Sequence, residues 1–269
     1  MSGPLIGRSA VRVIIKDTPE EVGAAVADAV EHEVRAAGDS GITLGLATGS
    51  SPVLTYQELV RRHREEGLSF AKARVFMLDE YVGLDASHPQ SYARFIRENF
   101  TDHVDLEESR IDCPNGVATD PFAEAERYDQ AIKDAGGVDI QLLGIGTDGH
   151  IAFNEPGSSL ASRTRVQTLL QQTIKDNARF FENEEEVPIH VLTQGIGTIL
   201  EARRIVLTAT GWSKSEAIAQ TVEGAVSARW TGSALQFHPD VLLVIDNEAA
   251  SGLKLADYYR FAEANPLVI

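Results

Sequence analysis

The sequence predicts one three-layer α/β domain around a mostly parallel sheet, and three observations carry that expectation. Short β-rich runs bounded by glycine alternate with longer stretches at helical spacing. Several of those stretches open with capping signals, Thr18-Pro19-Glu20-Glu21 and Asp120-Pro121 among them. Val138 to Ile145 is nearly all apolar, as a strand buried on both faces is. No internal repeat, low-complexity tract or linker divides the 269 residues, so 1–269 is expected to be a single domain.

In order, Val11 to Ile15 is a strand, and the Thr18 capping box starts a helix to about Ala37. Ile42 to Ala47 is the next strand, Thr48 to Ser51 a tight polar loop, and Pro52 opens a helix to about Glu66. Arg74 to Leu78 is strand-like, His88-Pro89 starts a helix to about Phe100, and Asp120-Pro121 another to about Asp134. The apolar run at Val138 to Ile145 follows, then an irregular stretch rich in Gly, Ser and Arg. A strand at Ile205 to Ala209, a helix at Ser213 to Glu223, a strand at Val241 to Ile245 and a C-terminal helix complete the pattern. The acidic run Glu182 to Glu186 is expected to be a solvated loop.

Composition excludes several functions. The balance of 24 basic against 40 acidic residues gives −16, a field that repels polyanions, so no nucleic-acid partner is expected. No apolar run approaches the roughly 18 residues of a membrane span, and Met1 to Ala10 holds no apolar leader core, so no membrane partner is expected. Cys113 is the single cysteine, which rules out an internal disulfide and a Cys-based zinc site and fits the cytoplasm. A chain this acidic can hold a small anion only with backbone N–H groups and a few placed cations.

Four groups of residues can carry chemistry. Thr48, Gly49 and Ser50 lie between a strand and a helix, where backbone N–H groups and hydroxyls form a phosphate cradle; the alternative is an ordinary Ser N-cap before Pro52. Asp79 and Glu80 follow an apolar strand. Adjacent side chains on a strand point opposite ways, so one faces the site, and Asp79 is chosen as the base; the alternative is that both cap the following turn. Gly144-Ile145-Gly146-Thr147-Asp148-Gly149 contains G-x-G-x-x-G after a strand, but Pro156 interrupts any following helix and residues 163–172 hold no acid, which argues against a dinucleotide. That segment instead sets His150 between Asp148 and Glu155, a proton-transfer arrangement whose alternative is a structural histidine in a glycine turn. Among the scattered cations Arg163, Arg165, Arg179 and Lys214, the last stands at a helix start, unfavourable unless it serves an anion; the alternative is a surface lysine. Trp230, His238 and Cys113 are expected to be structural.

Taken together, LATGSSP, LDEYVGL with HPQSY following, GIGTDGHIAFNEPGSSLASRTR, LTQGIGTIL, and GWSKSEAIAQTVEG followed by SALQFHPD resemble the glucosamine-6-phosphate deaminase family, also called glucosamine-6-phosphate isomerases, from about Thr43 to Asp246. The resemblance implies a modified Rossmann-like fold, a homo-oligomer that is often a hexamer, and no metal or cofactor. It implies conversion of the sugar phosphate glucosamine 6-phosphate and water to fructose 6-phosphate and ammonia. Asp79 then matches the enolisation base, and His150, assisted by Asp148 and Glu155, the ring opener. Thr48, Gly49 and Ser50 match the phosphate loop, with Arg179 and Lys214 as its cations.

Some bacterial members are activated by N-acetylglucosamine 6-phosphate at an intersubunit site. Ser158, Ser159 and Arg165 match three of its residues, but Gln167 stands at a Lys position, and Tyr258 and Tyr259 lie one or two residues before the expected Tyr, so the resemblance implies a vestigial site. The rival readings are a 6-phosphogluconolactonase and a non-catalytic sugar-phosphate sensor. The former is expected to lack Phe-Asn-Glu-Pro after its Gly-Asp-Gly-His; the latter finds no room for a DNA-binding module before Val11.

Overall fold

The computed structural model describes residues 11–265. The expectation about a leader in Met1 to Ala10 falls outside them. The chain runs β1 (Arg12–Lys16), α1 (Pro19–Ala37), β2 (Ile42–Leu46), α2 (Val53–Glu66), β3 (Ala73–Met77), β4 (Asp79–Tyr81), α3 (Tyr92–Asn99), β5 (Ile111–Asp112), α4 (Pro121–Asp134) and β6 (Ile140–Leu143). It continues through β7 (Arg165–Thr168), α5 (Gln171–Asn177), β8 (His190–Thr193), α6 (Ile196–Ile199), β9 (Arg204–Ala209), α7 (Ser215–Val222), β10 (Val241–Asp246) and α8 (Ala256–Ala264).

Seven strands form one parallel sheet in the order β1-β10-β9-β6-β2-β3-β5. From β2 the chain winds outward through β3 to β5, then returns to β6 on the other side of β2 and winds the opposite way through β9 to β10. The order therefore reverses between β2 and β6, and the crevice beyond the carboxyl ends of those strands is where α/β sheets place ligands. One face of the sheet packs on α1, α2 and α3 through Val22, Val26, Tyr56, Leu59 and Ile96; the other packs on α4, α6 and α7 through Tyr128, Ile132, Ile199 and Ile218. This is the expected three-layer, Rossmann-like α/β arrangement.

Two boundaries depart from the sequence reading for local reasons. The helix expected from His88 starts at Tyr92, because Ser91 caps it and the Glu80 carboxylate accepts from the Tyr92 and Ala93 N–H groups at 3.1 and 3.0 Å. The strand expected over Val138 to Ile145 pairs only over Ile140–Leu143. A second, antiparallel sheet, β4-β8-β7, was not anticipated. It packs on its own small core of Tyr81, Phe153, Leu169, Val187 and Val191.

Candidate active site

Four neighbouring parallel strands, β9, β6, β2 and β3, end on the same edge and deliver the candidate residues in that order. Beyond β9 lies Lys214, beyond β6 Asp148 and His150, beyond β2 Thr48 to Ser50, and beyond β3 Asp79. Residues nominated up to 166 positions apart (Thr48 to Lys214) thus share one rim because parallel strands carry their carboxyl ends together.

Asp79 is 4% exposed, and its carboxylate accepts no hydrogen bond among the described residues. Burial, and then the charge of Glu80, hold it well above the usual aspartate range. Glu80, 1% exposed, faces the other way, as strand alternation requires. It accepts from the N–H groups of Tyr81, Tyr92 and Ala93 and from the Ser91 hydroxyl at 2.8 Å. Burial raises its pKa in spite of these donors. Glu80 therefore anchors α3, while Asp79 is left with an unengaged carboxylate.

His150 sits between two carboxylates. Its Nδ1 is 2.7 Å from Asp148 Oδ1 and 3.6 Å from Glu155 Oε2. Burial, the largest single influence, would raise the Asp148 pKa, but the nearby imidazole, its charge and the His150 backbone N–H donated at 3.2 Å together outweigh it and the net shift is downward. The glycines explain the G-x-G-x-x-G spacing: a Cβ on Gly146 would lie 2.5 Å from the His150 ring, and Gly149, at φ +84°, turns the chain against Trp230. The glycines make room for an imidazole and its turn, not for a pyrophosphate. Ala152, just beyond, is the one non-glycine residue with positive φ among the described residues, at 49°, a strain typical of functional turns.

Asp148, His150 and Glu155 are also the described residues whose ligand atoms cluster tightly enough to hold a metal ion. The 2.7 Å between Nδ1 and Oδ1 is shorter than the roughly 3.3 Å between ligands on a tetrahedral ion with bonds near 2.0 Å. The set fits a proton relay better than a metal site.

No side chain caps α2, so Ser50 and Ser51 do not act as its N-cap. Gly49, at φ +97°, and Ser50 are exposed at the amino end of that helix, where an anion is favoured. Lys214 is not a surface lysine: its Nζ donates to the Ile145 carbonyl at 2.6 Å. Burial lowers its pKa, with Asp148 opposing that and Arg179 adding to it. Arg179 is exposed, with its guanidinium 4.7 Å over the Phe180 ring.

Away from this rim, Arg163 ties Asp129 to Glu201, and His238 is buried with a ring nitrogen 2.7 Å from the Ala202 carbonyl; both are structural. Arg165 bonds Asn154 Oδ1, Ser158 Oγ and Gln167 Oε1, so Gln167 occupies the guanidinium from within the chain, whereas Ser159 is exposed. Two buried linkers escaped the sequence reading. Asn154 donates to the Gln194 carbonyl at 2.8 Å, and Gln194 donates to the Met77 carbonyl at 3.0 Å, joining the His150 segment to the end of β3. Polar residues inside NEP and LTQGIG were the available signal.

A sequence model of the family "Glucosamine-6-phosphate isomerases/6-phosphogluconolactonase" matches residues 17–242. The chain is 59% identical over 252 residues to the glucosamine-6-phosphate deaminase of Rhodococcus jostii, spanning 94% of this chain and 96% of the relative. It is 53% identical over 251 residues to the Mycolicibacterium smegmatis protein of the same name, with 93% and 95% covered. Among solved structures, a monomeric glucosamine-6-phosphate deaminase superposes with a TM-score of 0.88 at 44% identity, covering 90% of this chain and all of that one. The Trypanosoma brucei 6-phosphogluconolactonase, at TM-score 0.69 and 23% identity over 91% of this chain and 99% of its own, shares the fold.

Proposed function

The chain belongs to the family of glucosamine-6-phosphate isomerases and 6-phosphogluconolactonases, and from that premise we propose that it converts glucosamine 6-phosphate and water to fructose 6-phosphate and ammonia. The observation that carries this reading is the pairing of a buried, unengaged Asp79 carboxylate with a His150 held by Asp148, at the ends of strands on the same rim. Lactone hydrolysis has no need of a base for a carbon-bound proton, and the relatives at 53–59% identity are deaminases.

His150, oriented by Asp148 and Glu155, moves the O1 proton toward O5 and opens the pyranose ring. Asp79 then removes the C2 proton, giving an enolamine, and returns a proton to C1. The resulting ketimine takes up water and releases ammonia, leaving the 2-ketone. Desolvation keeps Asp79 a stronger base than an ordinary aspartate, as abstraction from carbon requires. Thr48, Gly49 and Ser50, with Arg179 and Lys214, hold the phosphate, whose binding energy fixes C2 beside Asp79. The reading uses these side chains alone, without a metal or redox cofactor.

Among the described residues no helix is long and apolar enough to cross a membrane, and with a single cysteine the proposed location is the cytoplasm. A mass measurement in solution decides whether the chain forms the homo-oligomer that the resemblance implies. Incubation with glucosamine 6-phosphate and, separately, with 6-phosphogluconolactone tests the activity. Ammonia release from the first supports the proposal; hydrolysis of the second alone overturns it.

A further inference from the structure

The stretch leading to Arg179 is tied at its start to Glu155 and, two residues before Arg179, to the strand that carries Asp79. At its start, the Leu170 N–H donates to Glu155 Oε1 at 3.2 Å. At its end, Asn177 Nδ2 donates to the Tyr81 hydroxyl at 2.9 Å, and Tyr92 donates to the same oxygen at 3.3 Å. Tyr81 lies two residues after Asp79 on β4, so the two side chains share a face of the strand. Its ring contacts Tyr92 at 4.9 Å, Phe181 edge-on at 5.8 Å and Phe153 at 6.0 Å, and Phe153 lies 6.3 Å from the His150 ring. Most of residues 171–186 are exposed; Ile174, Ala178 and Phe181 pack on the small core, and Asn177 is the polar tie to it beside Arg179.

We propose that Asn177 is a positioning residue whose bond to Tyr81 latches the arm carrying Arg179 onto the strand carrying Asp79, so that the cation gripping the phosphate stays in register with the base. The inference rests on the functional reading above, in which Arg179 binds phosphate and Asp79 takes the C2 proton. Breaking the latch lets the arm drift without altering Arg179 or Asp79, a loss of ground-state and transition-state binding alike, which appears in KM rather than kcat.

The test is steady-state kinetics with glucosamine 6-phosphate on the full chain. Asn177→Ala raises KM about fivefold, the contribution of one neutral hydrogen bond, with kcat changed less than about twofold. Tyr81→Phe keeps the ring and does the same. Added to either Tyr81→Phe or Arg179→Ala, Asn177→Ala changes KM by less than about twofold, because the bond, or the cation it places, is already gone. Full multiplication of effects in the Arg179→Ala background overturns the latch, as does wild-type KM in Asn177→Ala. A wild-type protein that releases no ammonia overturns the functional reading and the latch with it; an active wild type with an indifferent Asn177 overturns the latch alone.

Discussion

Asp79 and Glu80 are chain neighbours, both under 5% exposed, yet Glu80 accepts from three backbone N–H groups and a hydroxyl while the Asp79 carboxylate accepts from none of the described groups. One buried acid is spent on architecture, and the fold leaves the other chemically idle beside it.

That contrast gives Asp79→Asn two opposite effects. Activity falls by ~10²–10⁴, the usual loss for a general base. Stability moves the other way. A carboxyl whose folded pKa is raised keeps its proton in the folded state above the ordinary value near 3.8, so stability falls as pH rises from that value to the folded pKa. The amide removes this dependence. Thermal midpoints should show the variant more stable than wild type near neutrality, with the gain vanishing well below the ordinary value near 3.8; a variant less stable at both would refute the burial penalty on the carboxyl.

His150→Gln should impair ring opening, so turnover of the closed sugar drops. Asp148→Asn removes the carboxylate 2.7 Å from Nδ1 and should lower turnover at the same step, since the ring loses the group that orients it. Unchanged turnover in both would make His150 structural.

Lys214→Ala and Arg179→Ala should each raise KM for glucosamine 6-phosphate tenfold or more, as charge-assisted contacts to a dianion are strong ones (about 1.5–3 kcal/mol). Inhibition by inorganic phosphate should weaken in parallel. Equal affinity of wild type and variants for phosphate would place both cations elsewhere.

Gln167 bonds Arg165 from within the chain where the resemblance expects a lysine. Saturation with glucosamine 6-phosphate should therefore be close to hyperbolic and activation by N-acetylglucosamine 6-phosphate weak or absent. A sigmoidal curve that the acetylated sugar makes hyperbolic would contradict this.

Asp129 draws on Lys133, Thr198, Thr164 and Arg163, and although burial opposes it, these partners lower its pKa. Its stabilisation is present above the ordinary value near 3.8 and is lost as pH falls through the lower folded value. Asp129→Asn should cost about 1–3 kcal/mol at neutral pH, read from urea unfolding, and much less in strong acid.

Six strands of the main sheet were legible because they are short apolar runs, and its helices declare their starts: Thr18 forms the full capping box and Asp120 accepts from the Phe122 and Ala123 N–H groups; the two-residue β5 was not. The second sheet was not. Arg165–Thr168 alternates weakly, β4 is three residues long, and pairing with β8 is decided by distant packing of Tyr81, Phe153 and Val191. In the candidate site, Asp79 and the Asp148, His150, Glu155 set could be nominated from residue type and strand-end position. The tasks of Glu80 and Asn177 depend on partners 11 and 96 positions away, which no local pattern encodes.

The account stands or falls on proton transfer by Asp79 in an amino sugar phosphate. Turnover of glucosamine 6-phosphate in deuterated water should yield ammonia and fructose 6-phosphate in equal amounts, with deuterium appearing at C1 of the product and C2 of recovered substrate. Asp79→Asn should still bind substrate yet exchange neither position. Exchange at the wild-type rate in that variant, or a wild type that yields no ammonia, would contradict the account.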